Sequence, residues 1–115
     1  MDLAKKLQIK DRKVAVLNAP PGFLLDAPMV RAARPGDAVL LFAATKKDLH
    51  KLKGPVVAAA LRDDLAWVAY PKAGQLGTDL NRDLLVAELA ADGIQGVRLV
   101  AIDDVWSALR FRPKT

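Results

Sequence analysis

The chain alternates between short, wholly apolar runs and longer segments in which apolar residues recur at helical spacing. Runs such as AVLLFA at 38–43 and AWVAY at 66–70 contain no charged side chain. Strands that are apolar on both faces are typical of parallel sheets covered by helices. The pattern therefore predicts a single α/β domain over residues 1–115.

The apolar runs and the residues that interrupt them predict the positions of the elements. Strands are predicted at 14–17, 29–33, 38–43, 66–70, 97–102 and 107–112. Helices are predicted at 2–7, at 46–53, from Pro55 to about residue 62, and from 78 or 79 to about 91, with a helical turn at 23–26. This alternation favours a layered, mostly parallel sheet with helices packed on it.

Two helices have recognisable starts. Thr45 precedes Asp48 by three residues, the spacing of a capping box, and Gly54-Pro55 then interrupts the helix. Thr78 or Asp79 is expected to cap the next helix, and its apolar stripe is predicted to run through Leu80, Leu84, Ala87 and Ala91, with Leu85 and Leu89 beside it.

The C-terminus reads as a hairpin. Asp103 and Asp104 form a tight connection, so residues 107–112 should run antiparallel to the strand before them. We expect 107–112 to be an antiparallel edge strand that is either guarded by Arg110 and Arg112 or pairs with a second copy as a homo-oligomer. Trp67 and Trp106 are expected to be core or interface anchors.

Composition excludes several classes of site. The chain has no cysteine and a single histidine, His50, so disulfides, thiolate metal sites and multi-histidine metal sites are ruled out. We expect no structural metal and no cofactor. The first residues lack the apolar stretch of a secretory signal, and no apolar run approaches ~20 residues. A cytoplasmic location with no membrane partner is therefore expected.

Ligands of open α/β sheets bind beyond the carboxyl ends of the parallel strands. Candidate ligand-binding residues there are Asn18, Thr45, Lys72 and Asp104, together with Thr78, Asp79 and Arg82 at the expected helix start. Lys72 near a helix N-terminus suits an anion, although Asp79 opposes this. We favour the interpretation that Lys72 is solvated and that Thr78 and Asp79 simply cap.

Acid–base chemistry has one candidate cluster. Asp79, Arg82 and Asp83 are expected within one helical turn, with Arg82 spaced to pair with Asp79. Carboxylates in a first turn also complement the helix dipole, which is the interpretation we favour. Ser107 has no histidine nearby and His50 has only Asp48 as an orienting acid, so a catalytic triad is disfavoured.

Charge indicates a second surface. The net charge is +5, and the cations of the predicted helix at 46–53 make one basic face: Lys46, Lys47, His50, Lys51 and Lys53. Such a face binds phosphates. Aromatic residues are only 5% of the chain and no nucleic-acid-binding motif is present, so nucleic acid is disfavoured as a partner and a solvated helix face is favoured.

Three segments carry a resemblance: WVAYPK at 67–72, TDLNRD at 78–83 and DVWSALRF at 104–111. With LAKKLQIK, VAVLNAP and VLLFA in the first half, they resemble a family of small bacterial proteins known only as a domain of unknown function, number three thousand and fifty-two. Gly54-Pro55 departs from it by breaking a helix expected to be continuous. The resemblance implies kinship and no activity.

The order strand, helix, strand, helix, hairpin is also similar to the C-terminal half of class I methyltransferases. The glycine-rich loop after their first strand is absent, because Asn18-Ala-Pro-Pro-Gly22 supplies one glycine and two prolines that donate no N–H. We expect a non-catalytic binding or interaction module of unknown partner. The alternatives are a small-molecule-binding or degenerate methyltransferase-like domain and, more weakly, non-specific nucleic-acid binding through the basic helix face.

Overall fold

A six-stranded sheet organises the computed structural model, which describes residues 3–114. The strands are β1 (Val14–Leu17), β2 (Met29–Val30), β3 (Ala38–Phe42), β4 (Ala66–Pro71), β5 (Ile94–Ala101) and β6 (Trp106–Pro113). The helices are α1 (Leu3–Lys6), α2 (Lys46–Leu52), α3 (Gly54–Leu61) and α4 (Arg82–Ala90). Asp2, where the first predicted helix begins, lies outside the described residues.

The strand order is β2-β1-β3-β4-β6-β5. β1 pairs in parallel with β2 and β3, and β3 pairs in parallel with β4. β6 is antiparallel to both of its neighbours, β4 and β5. The prediction of a mixed α/β domain with a mostly parallel sheet and an antiparallel C-terminal strand is confirmed.

The predicted edge position of residues 107–112 is wrong. β6 lies inside the sheet and β5 is the edge strand. The short connection requires only that β6 runs antiparallel to β5. Burial determines the position of β6 in the sheet. β6 is apolar on both faces, with Ala108 and Leu109 both buried, whereas β5 exposes Val97 and Leu99. The backbone of β6 is therefore engaged on both sides and cannot pair with a second copy.

Buried side chains form two clusters, and β3 contributes to one cluster from each of its faces. Val39 and Leu41 pack in a cluster with residues of α3 and α4. Leu40 and Phe42 pack in the other cluster, which contains Leu7 and Ile9 of the N-terminal segment. This sharing explains the apolar run at 38–43, because every residue of β3 is buried.

Trp67 fixes the N-terminal segment on the sheet. Its ring is fully buried, and its indole N–H donates a hydrogen bond to the carbonyl oxygen of Leu7 at 2.9 Å. Trp106 packs edge-on against Phe42 with ring centroids 5.0 Å apart. Both tryptophans are core residues, as predicted.

The helix α2 begins as expected, since the Thr45 hydroxyl accepts from the Asp48 N–H at 3.2 Å, and α3 follows after the break at Gly54-Pro55. The helical turn predicted at 23–26 is absent: Phe23 lies in irregular chain and packs edge-on against Phe42. The strand predicted at 29–33 ends at Val30. No helix among residues 3–114 has the length and apolar character needed to cross a membrane.

The predicted cap and stripe of α4 are wrong. Asn81 is its N-cap and accepts from the Leu84 N–H at 2.9 Å. Leu85 and Leu89 are the buried residues of α4, while Leu84 is exposed. Starting the helix two or three residues later leaves Leu80 in the preceding loop, so the stripe read from Leu80 does not continue along the buried face.

Replacing Trp67 with phenylalanine should lower the free energy of unfolding by about 2–4 kcal/mol, because the Leu7 carbonyl loses its partner inside a packed core and a void remains. Urea denaturation measures this loss. Trp106→Phe is the matched control, since the Trp106 indole N–H forms no hydrogen bond with a described residue. Equal losses for the two variants would contradict the anchoring role of the Trp67 hydrogen bond.

Candidate functional site

The carboxyl end of the sheet is the end at which β1, β3, β4 and β5 finish, and it carries the predicted site residues. Asn18, Thr45, Thr78 and Asp79 are brought together there around residues 42–46. Lys72 and Asp104 lie in other loops of the same end, and Arg82 lies at the start of α4.

The four residues that meet form hydrogen bonds with other residues of the chain. Asn18 has a left-handed backbone, with φ of 59°, and its side-chain amide donates to the Phe42 carbonyl at 2.9 Å, which joins the ends of β1 and β3. The Thr78 hydroxyl donates to the Ala44 carbonyl at 2.7 Å. The Asp79 carboxylate accepts from the Lys46 N–H, the first residue of α2, at 2.8 Å.

Asp79 is therefore a capping residue for a helix other than the one predicted, since it accepts from the first N–H of α2 from a distant loop. Thr78 fastens the same loop to the Ala44 carbonyl, and neither residue caps α4. A free backbone N–H at a helix start attracts a carboxylate from any segment that reaches it. The sequence shows the residue type of a cap but not the helix that it serves.

The remaining candidates do not join this network. Lys72 donates its backbone N–H to the Val105 carbonyl at 2.7 Å, while its ammonium group and the Asp104 carboxylate form no hydrogen bond or ion pair with the described residues. Arg82 pairs with Asp83, with 3.4 Å between Nε and Oδ1. The predicted pairing of Arg82 with Asp79 is wrong, because Asp79 precedes α4 and points its carboxylate to α2.

None of the predicted site residues lines any of the three cavities that the structure describes. Among residues 3–114, no group of three or more histidine or acidic side chains is placed to hold a metal ion. The carboxyl end of the sheet is thus tied together by its own hydrogen bonds.

Two residues of the predicted basic face, His50 and Lys53, contact acids that lie in α4 or just after it. His50 Nε2 lies 2.9 Å from Glu88 Oε2, and Lys53 Nζ lies 2.8 Å from Asp92 Oδ2. His50 thus faces Glu88, an acid of α4 that lies 38 residues away in the sequence. Lys46, Lys47 and Lys51 keep their charge free of ion pairs with the described residues.

The largest of these three cavities lies at the opposite, amino end of the sheet. It is an open groove of ≈ 1130 Å³ between the loop that enters β1 and the segment that joins β2 to β3. We call it the amino-end groove. Its lining residues are Lys10, Asp11, Arg12, Lys13 and residues 30–37, namely Val30, Arg31, Ala32, Ala33, Arg34, Pro35, Gly36 and Asp37.

A tight turn builds one wall of this groove. The Asp37 N–H donates to the Arg34 carbonyl at 2.9 Å, and the Asp37 carboxylate accepts from the Arg34 N–H at 3.0 Å. Gly36 has φ of +94° and donates its N–H to Asp64 at 3.0 Å. This hydrogen bond lowers the pKa of the Asp64 carboxyl below its usual value, and neighbouring Arg62 lowers it further. The turn at 34–37 was predicted, and the structure shows what holds it.

Five cationic side chains and two carboxylates line the amino-end groove. Arg12 donates weakly to the Gln8 carbonyl at 3.4 Å. The ammonium and guanidinium groups of the other four cations have no partner among the described residues: Lys10, Lys13, Arg31 and Arg34. Sequence reasoning did not consider them together. The available signal was that cations precede two adjacent parallel strands, at 10–13 and 31–34.

Comparisons with known proteins identify no relative: no family model, no curated protein and no solved structure matches the chain.

Asp79→Ala should lower the free energy of unfolding by about 0.5–2 kcal/mol, because the first N–H of α2 loses its acceptor. Chemical denaturation measures this. Asp104→Ala is the control at the same end of the sheet, and it should change stability by no more than about 0.5 kcal/mol because its carboxylate has no partner among the described residues. An unchanged stability for Asp79→Ala would contradict the structural role assigned to that carboxylate.

Proposed function

We propose that this chain is a non-catalytic binding module that holds the phosphate backbone of a double-stranded nucleic acid in the amino-end groove. The observation that carries the proposal is the excess of unpaired cations in this one concave surface. Lysine and arginine that neutralise phosphates release condensed counterions, and this release drives sequence-independent binding.

The lining of the groove favours the phosphate backbone over the bases. No aromatic residue lines it, so it offers no platform on which an unpaired base stacks. The low aromatic content of the sequence therefore argues against binding of single strands and recognition of bases. It leaves phosphate contacts to a duplex unaffected.

The free cations also favour a charged partner over a structural role. Two cations elsewhere in the chain stabilise the fold by facing carboxylates, Arg112 at Asp63 and Lys53 at Asp92. Lys13 and Arg31 have no such partner. They remain available to an external anion.

The non-catalytic part of the proposal is supported by the carboxyl end of the sheet. The groups there with potential for chemistry, such as Thr78 and Asp79, are engaged in hydrogen bonds that fasten one segment to another. Kinship with the bacterial family of unknown function, a layered packing of the helices and a cytoplasmic location remain predictions from the sequence.

The proposal predicts that Lys13→Gln/Arg31→Gln/Arg34→Gln weakens duplex binding roughly tenfold or more at 50 mM salt. Each lost phosphate contact also reduces the slope of log K against log salt by about 0.9. Fluorescence anisotropy with a labelled 20-base-pair duplex of mixed sequence measures both quantities. The three side chains are exposed, so the variant is expected to fold.

The matched control is Lys46→Gln/Lys47→Gln/Lys51→Gln on α2, which removes the same three charges from the net charge of +5. Binding retained by this control and lost by the groove variant supports the groove. Equal losses would indicate a response to net charge alone, and the reverse pattern would place binding on the basic helix face. Absence of duplex binding by the unaltered protein at 50 mM salt overturns the proposal.

A second candidate function is a small-molecule site of degenerate methyltransferase type at the carboxyl end of the sheet. The order of elements from β3 to β6, which matches strand, helix, strand, helix, hairpin, favours it. Lys72 is the free cation that such a site would use. The internal bonds of Asn18 and the prolines at 20 and 21 weigh against it.

For this second candidate, S-adenosylmethionine at a hundredfold its Kd should stabilise the protein by about 2.7 kcal/mol, and Lys72→Ala should reduce the shift. A thermal-shift assay measures the effect, with S-adenosylhomocysteine as the companion ligand and Lys51→Ala as the control. No shift with either compound would remove the candidate.

A further inference from the structure

A cluster of arginines lies where β5 and β6 meet the N-terminal segment. Arg98 of β5 and Arg110 of β6 are direct cross-strand partners. Direct partners in an antiparallel pair project from the same face, with Cβ atoms about 4.5–5.5 Å apart, and like charges at such positions are destabilising. The fold therefore holds two positive charges side by side.

Further groups surround this pair. Arg112 lies on the same face of β6 and forms two hydrogen bonds to Asp63, at 2.8 and 2.9 Å. Arg12 approaches from the loop before β1 and contributes to the positive potential at Arg110. Two carboxylates lie near these four guanidinium groups, and both are already engaged, Asp63 by Arg112 and Asp64 by Arg62.

Arg110 lacks a partner for one of its donors. Its NH1 group donates to the Gln8 side-chain oxygen at 3.3 Å, but its Nε is buried and has no hydrogen-bond partner. Burial lowers the pKa of the Arg110 guanidinium below its ordinary value. The neighbouring arginine charges lower it further, while Asp63 raises it. A buried N–H donor without a partner is costly, and a guanidinium is a charged donor.

We propose that the Arg98–Arg110 pair, with Arg12 beside it, is a binding site for a phosphate group. Planar guanidinium groups offer paired N–H donors that fit the oxygens of a phosphate, and one anion would relieve the like-charge contact. Arg98 and Arg110 do not line the amino-end groove. The proposal therefore stands apart from the function proposed above, although Arg12 borders both sites.

The test compares thermal unfolding in sodium phosphate and in sodium chloride at equal ionic strength and pH. The unaltered protein should gain about 5 °C in Tm once phosphate exceeds its Kd about tenfold. Arg98→Gln should lose most of this gain. In chloride alone Arg98→Gln should unfold about 1–4 °C higher than the unaltered protein, because a like-charge contact is removed.

Lys47→Gln is the control, since it removes one exposed cation from α2 that has no partner among the described residues. It should leave the phosphate gain unchanged. The groove variant Lys13→Gln/Arg31→Gln/Arg34→Gln should also keep the phosphate gain, which separates failure of this site from failure of duplex binding. Equal gains in phosphate for Arg98→Gln and the unaltered protein overturn the proposal.

Nitrogen NMR gives a readout that stability alone does not. The Nε–H signal of Arg110, assigned by its loss in Arg110→Lys, should shift on titration with inorganic phosphate or with dimethyl phosphate. A shift with inorganic phosphate only indicates a terminal phosphate, and a shift with both indicates that a phosphodiester backbone also fits. An Nε–H signal that neither compound moves overturns the proposal.

Discussion

The insertion of β6 between β4 and β5 is the constraint on which the rest of the molecule depends. Six register pairs join β6 to β4, and seven join it to β5, so this one strand connects the parallel part of the sheet to its edge. β6 brings apolar side chains to both faces, with Ala108 on one side and Leu109 on the other. Without it, the wholly buried β4 would expose an unpaired backbone.

The direction of β6 determines where its own charged residues lie. Because β6 runs against its neighbours, its last residues lie at the amino end of the sheet, where β1 and β3 begin. Arg110 therefore approaches the loop that carries Arg12. The turn that carries Arg34 is at this end as well, because it leads into β3. The two proposed anion sites thus lie at the same end of the sheet for different reasons, one through the direction of β6 and the other through the loops that enter β1 and β3.

The sequence predicts the helices and strands better than the contacts between them. Strand β1 and the start of α2 follow from local signals, an apolar run closed by prolines and a Thr45 cap, and both are confirmed. The position of β6 in the sheet depends on which strand buries both faces, a property of the assembled core. Likewise Asp79 shows the residue type of a cap, while the N–H that it caps belongs to α2, 33 residues away.

The two ends of the sheet differ in how their polar groups are used, and this difference is what relates the fold to binding. At the carboxyl end, which usually binds ligands in a parallel sheet, Asn18, Thr78 and Asp79 each form a hydrogen bond within the chain. These side chains hold loops together. At the amino end, cations such as Lys13 and Arg31 remain unpaired and Arg110 keeps a donor without an acceptor. The unpaired cations and the unpaired donor at the amino end are the groups on which the two proposed anion sites rest. The proposed anion sites therefore lie at the end opposite to the one that strand geometry favours, because the groove cations precede β1 and β3 and Arg110 lies towards the end of the antiparallel strand β6.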